Sequence, residues 1–230
     1  MTEAVVKRTP GRGRFITFEG GEGSGKSTQI KILADRLNAA KLRALVTREP
    51  GGSPGAEIIR HLVLSGMGKL LGAEAETLLF AAARDDHVRT VIQPALNQGI
   101  WVLCDRFSDS TRAYQGSLGK VSPAVLNAME RVTIGDLKPD LTLILDVPIE
   151  VGMKRAAARR GSAAPDRFEA EDVRFHQELR EAYRQIAASE PQRCVLIDAT
   201  AEPGLVAANI WAALRDRLFA TSAGNVASPA

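Results

Sequence analysis

Five short apolar runs punctuate the chain, and none of them alternates regularly between apolar and polar positions. The runs are RFITFE (14–19), RALVT (43–47), IWVLCD (100–105), LTLILD (141–146) and RCVLID (193–198). Such unbroken runs are typical of strands that are buried on both faces of a parallel sheet. The pattern therefore predicts five buried strands.

The segments between these runs have helical spacing and helix boundary signals. In SPAVLNAMERV (122–132), Ser122 can cap a helix and Pro123 suits its first turn. Parallel strands need crossover connections, which helices supply. We therefore expect a doubly wound α/β sheet, with ligands bound at the carboxyl ends of its strands.

The size of the chain favours one domain. Its 230 residues, 45% of them hydrophobic, are enough for one sizeable core. Residues 1–13 and 220–230 are small, polar or rich in Pro and Gly, so we expect an N-terminal extension and a flexible tail around a single domain at 14–219.

Charge and hydropathy limit the partners and the location. The net charge of +3 is weak evidence for a nucleic-acid partner, and we expect none. The first residues lack the apolar core of a signal peptide, and no stretch approaches the roughly 18 apolar residues of a membrane span. The sequence therefore predicts a cytoplasmic protein that does not contact a membrane.

Cysteine and histidine show no metal-binding pattern. Cys104 and Cys194 fall in apolar runs, where we interpret them as small core residues in a reducing compartment. His61, His87 and His176 have no zinc-ligand spacing, and we expect them on the surface or on helix faces.

The segment GGEGSGKST (20–28) fits the phosphate-binding P-loop pattern between a predicted strand and a predicted helix. Its backbone N–H groups would turn toward phosphates, Lys26 would reach the β and γ groups, and Ser27 would ligate Mg²⁺. The predicted ATP-binding residues are Gly20, Gly21, Glu22, Gly23, Ser24, Gly25, Lys26, Ser27 and Thr28.

An acidic residue at a strand end should complete the Mg²⁺ site through water. Asp105 ends the third apolar run and is the first candidate, while Asp146 ends the fourth and is the rival. The Asn-Lys-x-Asp and Asp-x-x-Gly tetrapeptides of switch GTPases do not occur. Polar residues at the later strand ends instead favour a kinase that holds a second nucleotide.

Five further segments follow the P-loop in order: TREPGG (47–52), FAAARDDH (80–87), DRFSDSTRAYQG (105–116), GDLKPDLTLILDVP (135–148) and DRFE (166–169). With the P-loop, they closely resemble bacterial thymidylate kinase from about Phe15 to about Leu214. The resemblance implies transfer of the ATP γ-phosphate to dTMP, a five-stranded parallel sheet, a requirement for Mg²⁺, and a homodimer.

The second nucleotide, the phosphate acceptor, has its own predicted site. Arg48 and Arg106 stand at strand ends, where guanidinium forks can hold a phosphate. Phe80 and Arg84 are four residues apart, so they share one face of a helix. The resemblance implies that the Phe80 ring stacks on thymine, that Arg84 donates to its O4, and that the Glu49–Pro50 bond is cis. The predicted dTMP-binding residues are Glu22, Arg48, Glu49, Pro50, Phe80, Arg84, Arg106, Thr111, Tyr114 and Gln115.

Arginines cluster around a Gly/Ser/Ala/Pro segment late in the chain. Arg155, Arg159 and Arg160 precede it, and Arg167 follows it. They resemble the mobile lid of the family, at about 155–168, whose cations stabilise the transferred phosphoryl group. With Lys26 and Arg106, the first three are the predicted catalytic residues, and the sequence leaves open which lid arginine acts.

Glu22 is an unexpected carboxylate inside a phosphate-binding loop. In the resembling kinases the residue at this position reaches the acceptor sugar near its 3′-hydroxyl, and in some of them an arginine follows it. Gly23 follows here, so the resemblance implies that the lid supplies the catalytic cation. Two alternatives stay open: another deoxynucleoside monophosphate kinase and a regulatory ATPase that needs no acceptor.

Overall fold

The computed structural model describes residues 11–162 and 167–219. Most of the predicted N-terminal extension (1–10), the predicted tail (220–230) and the middle of the predicted lid (163–166) lie outside these described residues. Gly13, which the sequence placed in the extension, is buried, and its N–H donates to the Leu96 carbonyl at 2.8 Å. The packed body therefore includes Gly13.

Five parallel strands form one sheet in the order β2-β3-β1-β4-β5. Their bounds are β1 Phe15–Glu19, β2 Ala44–Arg48, β3 Trp101–Asp105, β4 Leu141–Asp146 and β5 Cys194–Asp198. Each strand lies within one residue of a predicted run. The order reverses at β1, which pairs with β3 on one side and β4 on the other, so the predicted doubly wound sheet is confirmed.

Helices connect the strands and cover both faces of the sheet. They are α1 Lys26–Ala39, α2 Pro54–Leu64, α3 Ala73–His87, α4 Gln93–Asn97, α5 Ser108–Thr111, α6 Pro123–Thr133, α7 Ile149–Arg160, α8 Val173–Ser189 and α9 Pro203–Leu214. A short 3₁₀ helix spans Met67–Leu71, and π-helical segments span Val88–Ile92, Arg112–Leu118 and Arg215–Phe219. The predicted cap is confirmed, because Ser122 Oγ accepts the Val125 N–H at 3.3 Å.

The core lies on both faces of the central strand. Ile16 and Phe18 point toward α1 and α9, where Leu37 and Ile210 are buried against them. Phe15 points to the opposite face. Alternate residues of β1 thus enter different layers, which explains why its sequence reads as an unbroken apolar run.

The prediction that every strand is buried on both faces is wrong for β2 and β5. These strands form the two edges of the sheet, and Val46 and Leu196 are 49% and 40% exposed. An edge strand has a neighbour on one side only, so the adjacent helices cover it less completely. Cys104 and Cys194 are buried and unpaired, as expected.

Candidate active site

A cleft of about 330 Å³ opens at the carboxyl ends of β1, β2 and β3. The P-loop forms one wall, and the turn after β2, one face of α3 and the segment after β3 form the others. Each predicted acceptor residue lines this cleft: Glu22, Arg48, Glu49, Pro50, Phe80, Arg84, Arg106, Thr111, Tyr114 and Gln115. The cleft therefore joins the predicted donor and acceptor sites.

Lys26 begins α1 and is buried beneath the P-loop. Its ammonium group donates to the Gly20 and Gly21 carbonyls, each at 2.9 Å. Burial is the main cause that lowers the pKa of Lys26 to about 8, and the nearby Arg106 cation adds to it. A bound anion would favour the charged form of this lysine.

The apex of the P-loop packs directly on α7. A Cβ added at Gly23, whose φ is +67°, would lie 1.9 Å from the Gly152 carbonyl oxygen. A Cβ at Gly152 would lie 2.6 Å from the Glu22 carbonyl oxygen. Side chains of any size are therefore excluded from both positions.

The two predicted candidates for the acidic Mg²⁺ partner have different surroundings. Ser27 Oγ donates to Asp105 Oδ2 at 3.0 Å, so this hydroxyl and carboxylate are adjacent at the P-loop. Asp146 instead accepts two hydrogen bonds from Arg180, at 2.6 and 2.8 Å. The hard-oxygen pair fits Mg²⁺, whereas Asp146 is already neutralised by a cation.

Arg106 lines the cleft and has a left-handed backbone conformation, with φ at +69°. Its guanidinium donates to Glu22 Oε1 at 2.6 Å, to Tyr183 Oη at 3.1 Å and to the Gly20 carbonyl at 3.2 Å. Burial would raise the pKa of Glu22, but Arg106 and then Lys26 hold it below its usual value. Glu22 is therefore a carboxylate that faces cations rather than solvent.

Glu19, at the end of β1, holds the segment that carries Arg106. It accepts the Phe107 N–H at 2.7 Å and the Ser110 hydroxyl at 2.6 Å. Burial, followed by repulsion from Asp109, raises the pKa of Glu19 to about 7. Sequence reasoning missed this residue, although a carboxylate at the end of a buried strand was a signal.

Arg84 is buried in the wall of the cleft, and several acceptors fix its orientation. Its Nε donates to Glu49 Oε2 at 2.7 Å, and its Nη2 donates to Thr111 Oγ1 at 2.9 Å and to the Phe107 carbonyl at 3.2 Å. Phe80 lies one turn earlier on α3 and is partly exposed in the cleft. The Glu49–Pro50 bond is cis, as the resemblance implied.

The predicted arginines differ in their position relative to the cleft and in their partners. Arg48 is 54% exposed and pairs with Glu57 at 2.9 Å, at the rim. Arg155 donates to the Ala199 carbonyl at 2.7 Å, beside the end of β5. Arg159 lines the cleft, where its Nη2 lies 3.8 Å from Glu22 and 2.7 Å from Glu169.

The last two arginines around the predicted lid, Arg160 and Arg167, hold neighbouring segments together. Arg160 pairs with Glu169 at 3.0 Å. Arg167 forms a two-bond ion pair with the buried Glu76 of α3. Beside it, Phe168 lines the cleft and packs edge-on against Tyr114, with ring centroids 5.0 Å apart.

All three histidines lie on helices, in line with the expectation of surface or helix-face positions, but two of them are not at the surface. His87 is completely buried and His176 is 5% exposed, while His61 is exposed. Both buried rings lie on the inner sides of helices, which isolated histidines in a sequence do not reveal. Other cleft residues that the sequence did not indicate are Arg60, Leu64, Phe107, Ser110 and Phe168.

Residues 11–162 and 167–219 contain no group of three or more His, Cys, Asp or Glu side chains arranged to hold a metal ion. Over the same ranges, no helix is long and apolar enough to cross a membrane.

Comparison with known proteins gives a consistent result. The family model described as "Thymidylate kinase" matches residues 18–210. A protein named thymidylate kinase from Nitrobacter hamburgensis is 82% identical over 219 residues, which cover 95% of each chain. One from Nitrobacter winogradskyi is 77% identical over 230 residues, the full length of both chains. The crystal structure of thymidylate kinase from Ehrlichia chaffeensis has a TM-score of 0.72 and 33% identity, covering 89% of this chain and 100% of that one.

Proposed function

The chain belongs to the thymidylate kinase family, and on that premise we propose how its residues carry out the reaction. It is a phosphotransferase that uses ATP to phosphorylate dTMP, giving ADP and dTDP. One observation supports the residue assignments most strongly. A single cleft joins the P-loop to every predicted acceptor residue, so both nucleotides would meet inside it.

The donor side uses the P-loop. Its backbone N–H groups and Lys26 hold the β- and γ-phosphates of ATP, at the N-terminus of α1. Ser27 and Asp105, hydrogen-bonded to each other at 3.0 Å, would hold Mg²⁺, with Asp105 acting through water. When bound, Mg²⁺ would neutralise charge on the phosphate oxygens.

The acceptor side uses the opposite walls. Arg106, with Arg48 at the rim, holds the dTMP phosphate in line with ATP. Phe80 stacks on the base and Arg84 donates to O4, which favours thymine over cytosine because a guanidinium has donors only. Thr111, Gln115 and Tyr114 complete the contacts to the base and the sugar, and Glu22 lies beside the sugar position.

Catalysis rests on positioning and electrostatics. The attacking phosphate oxygen is already ionised at neutral pH, so the reaction needs no general base. Among the arginines of α7, Arg159 is the one whose guanidinium lines the cleft, next to Glu22. We propose that Arg159 stabilises the charge on the transferred phosphoryl group, and that Arg155 and Arg160 have supporting roles.

We also propose a homodimer. Helix α3 packs against both α2 and α6, and the three helices carry large exposed apolar side chains: Ile58 is 75% exposed, Leu78 56% and Val132 83%. A second copy would cover them. Sedimentation equilibrium of the wild type should show a dimer. Ile58→Glu should weaken this dimer, whereas the control Leu205→Glu, on α9, should leave it unchanged. A monomeric wild type would refute the proposal. Cytoplasmic location remains a prediction from the sequence.

Coupled ADP release measured with dTMP, dUMP, UMP, dGMP and dCMP, supplied separately, tests the function. We expect dTMP to give the highest rate and the acceptor-free reaction to be slow. Equal rates with all five acceptors would contradict the assignment of the base-reading residues. ADP release that no acceptor increases would favour a regulatory ATPase.

A further inference from the structure

His87 is the last residue of α3 and lies three residues after Arg84. Its side chain is completely buried and does not line the cleft. The proposed mechanism leaves this imidazole without a role, although burying a group that can donate and accept hydrogen bonds is costly unless both nitrogens are paired.

Both ring nitrogens of His87 are paired, and the partners come from different elements. Nε2 lies 2.6 Å from Thr47 Oγ1 in β2, and Nδ1 lies 3.1 Å from Glu49 Oε1 in the cis turn. The second oxygen of Glu49 accepts the Nε–H of Arg84 at 2.7 Å. A continuous chain of hydrogen bonds therefore runs from β2 to the arginine that faces the base.

We propose that His87 is a positioning residue for dTMP recognition, acting through Glu49 to fix the orientation of Arg84. This inference rests on the proposed function of the cleft. A carboxylate only accepts hydrogen bonds, so in the neutral ring the proton must be on Nδ1, and Nε2 then accepts the Thr47 hydroxyl. His87 thus holds one Glu49 oxygen and leaves the other for Arg84.

The geometry of Arg84 explains why its orientation matters. Nε and Nη2 are occupied by Glu49, Thr111 and the Phe107 carbonyl. Within the described part of the chain, Nη1 has no hydrogen-bond partner. It is therefore the nitrogen left for the nucleobase, and its direction is set by the contacts made by the other two.

Gly52 closes this network on its outer side. A Cβ at this position would lie 2.4 Å from Thr47 Oγ1 and 2.5 Å from His87 Nε2, so the bare backbone sits directly over their hydrogen bond. There is no room for a larger residue, and the backbone of Gly52 covers the Thr47–His87 hydrogen bond on this side. Gly52, the second glycine of the turn at 50–52, therefore supports recognition of the base through this network.

Two substitutions at His87 separate this role from simple core packing. Asn keeps an amide donor that can reach Glu49, whereas Phe fills similar space without any donor. We expect His87→Phe to raise the KM for dTMP about tenfold and to lower the preference for dTMP over dCMP by a similar factor, with the KM for ATP unchanged. His87→Asn should recover most of both losses. His176→Phe, at another buried histidine, serves as the control and should leave the dTMP/dCMP preference unchanged.

Specific outcomes would overturn the inference. If wild-type enzyme turns over dTMP while His87→Phe keeps its KM and its base preference, His87 has a packing role only. Equal defects in the Asn and Phe variants would also refute it. Where His87→Phe does not fold, Thr47→Val tests the same network from its other end and should raise the KM for dTMP about threefold; an unchanged KM would refute the proposal. Wild-type enzyme without dTMP-dependent ADP release would instead refute the proposed function.

Discussion

Glu19 makes the stability of this protein depend on pH in an unusual direction. Its carboxyl group is completely buried, and burial with repulsion from Asp109 raises its pKa to about 7 from an ordinary value of 4.5. The folded state therefore binds a proton more tightly than the unfolded state does. The resulting stabilisation is fully present below pH 4.5 and is lost as the pH rises through 7.

The size of this effect follows from the two pKa values. Between pH 5 and pH 8, linkage predicts that the free energy of unfolding falls by about 2 to 3 kcal/mol because of Glu19 alone. Glu19→Gln keeps an oxygen to accept the Phe107 N–H but cannot ionise. Other titrating groups are present in both proteins, so the difference between wild type and variant isolates the Glu19 contribution.

Urea unfolding of both proteins at half-unit steps from pH 5 to pH 8 measures this difference. We expect the stability of wild type minus that of Glu19→Gln to decrease steadily with pH, mostly between pH 5 and 7. A difference that stays constant, or one that rises with pH, would show that the buried carboxyl does not take up its proton near neutrality. In that case the proposed role of buried Glu19 in holding Phe107 and Ser110, in the segment after β3, would be wrong.

Three further predictions concern the reaction. Glu22→Gln should lower kcat/KM for dTMP about tenfold, because a charge-assisted hydrogen bond to Arg106 is lost. Calorimetry should show unchanged ATP affinity. Intact turnover would mean that Glu22 has no role in the acceptor site. Asp105→Asn should raise the Mg²⁺ concentration needed for half-maximal rate, and Asp146→Asn should not. A raised requirement in Asp146→Asn but not in Asp105→Asn would place the metal beside Asp146 instead. Arg159→Ala should lower kcat about 100-fold with little change in the KM for either nucleotide, and an equal loss in Arg155→Ala would refute the assignment of a single lid arginine.

The strands were predictable from the sequence, but their exposure was not. Each apolar run marks a strand to within one residue, because parallel strands covered by helices need apolar side chains throughout. Which strands form the edges depends on their order in the sheet. The runs that contain Val46 and Leu196 are as apolar as those of the central strands. Their exposure could therefore be recognised only once the strand order was known.

The site shows the same division between local pattern and long-range arrangement. The P-loop and the pair Phe80 and Arg84 follow from short spacings, and the cleft contains all of them. Arg155 and Arg159 are also one helical turn apart, yet only Arg159 lines the cleft. His87 gave no signal because its partners lie about forty positions earlier in the chain, in β2 and the cis turn.

The contact between Gly23 and Gly152 restricts how this enzyme can change. A mutation that placed an arginine at Gly23 would drive its Cβ into the backbone of α7, 1.9 Å from a carbonyl oxygen. An arginine therefore cannot be introduced at this loop position by exchanging Gly23 alone. Such a substitution would require α7, the helix that carries Arg155, Arg159 and Arg160, to move at the same time. A redesign of the loop at Gly23 would therefore have to change the packing at Gly152 as well.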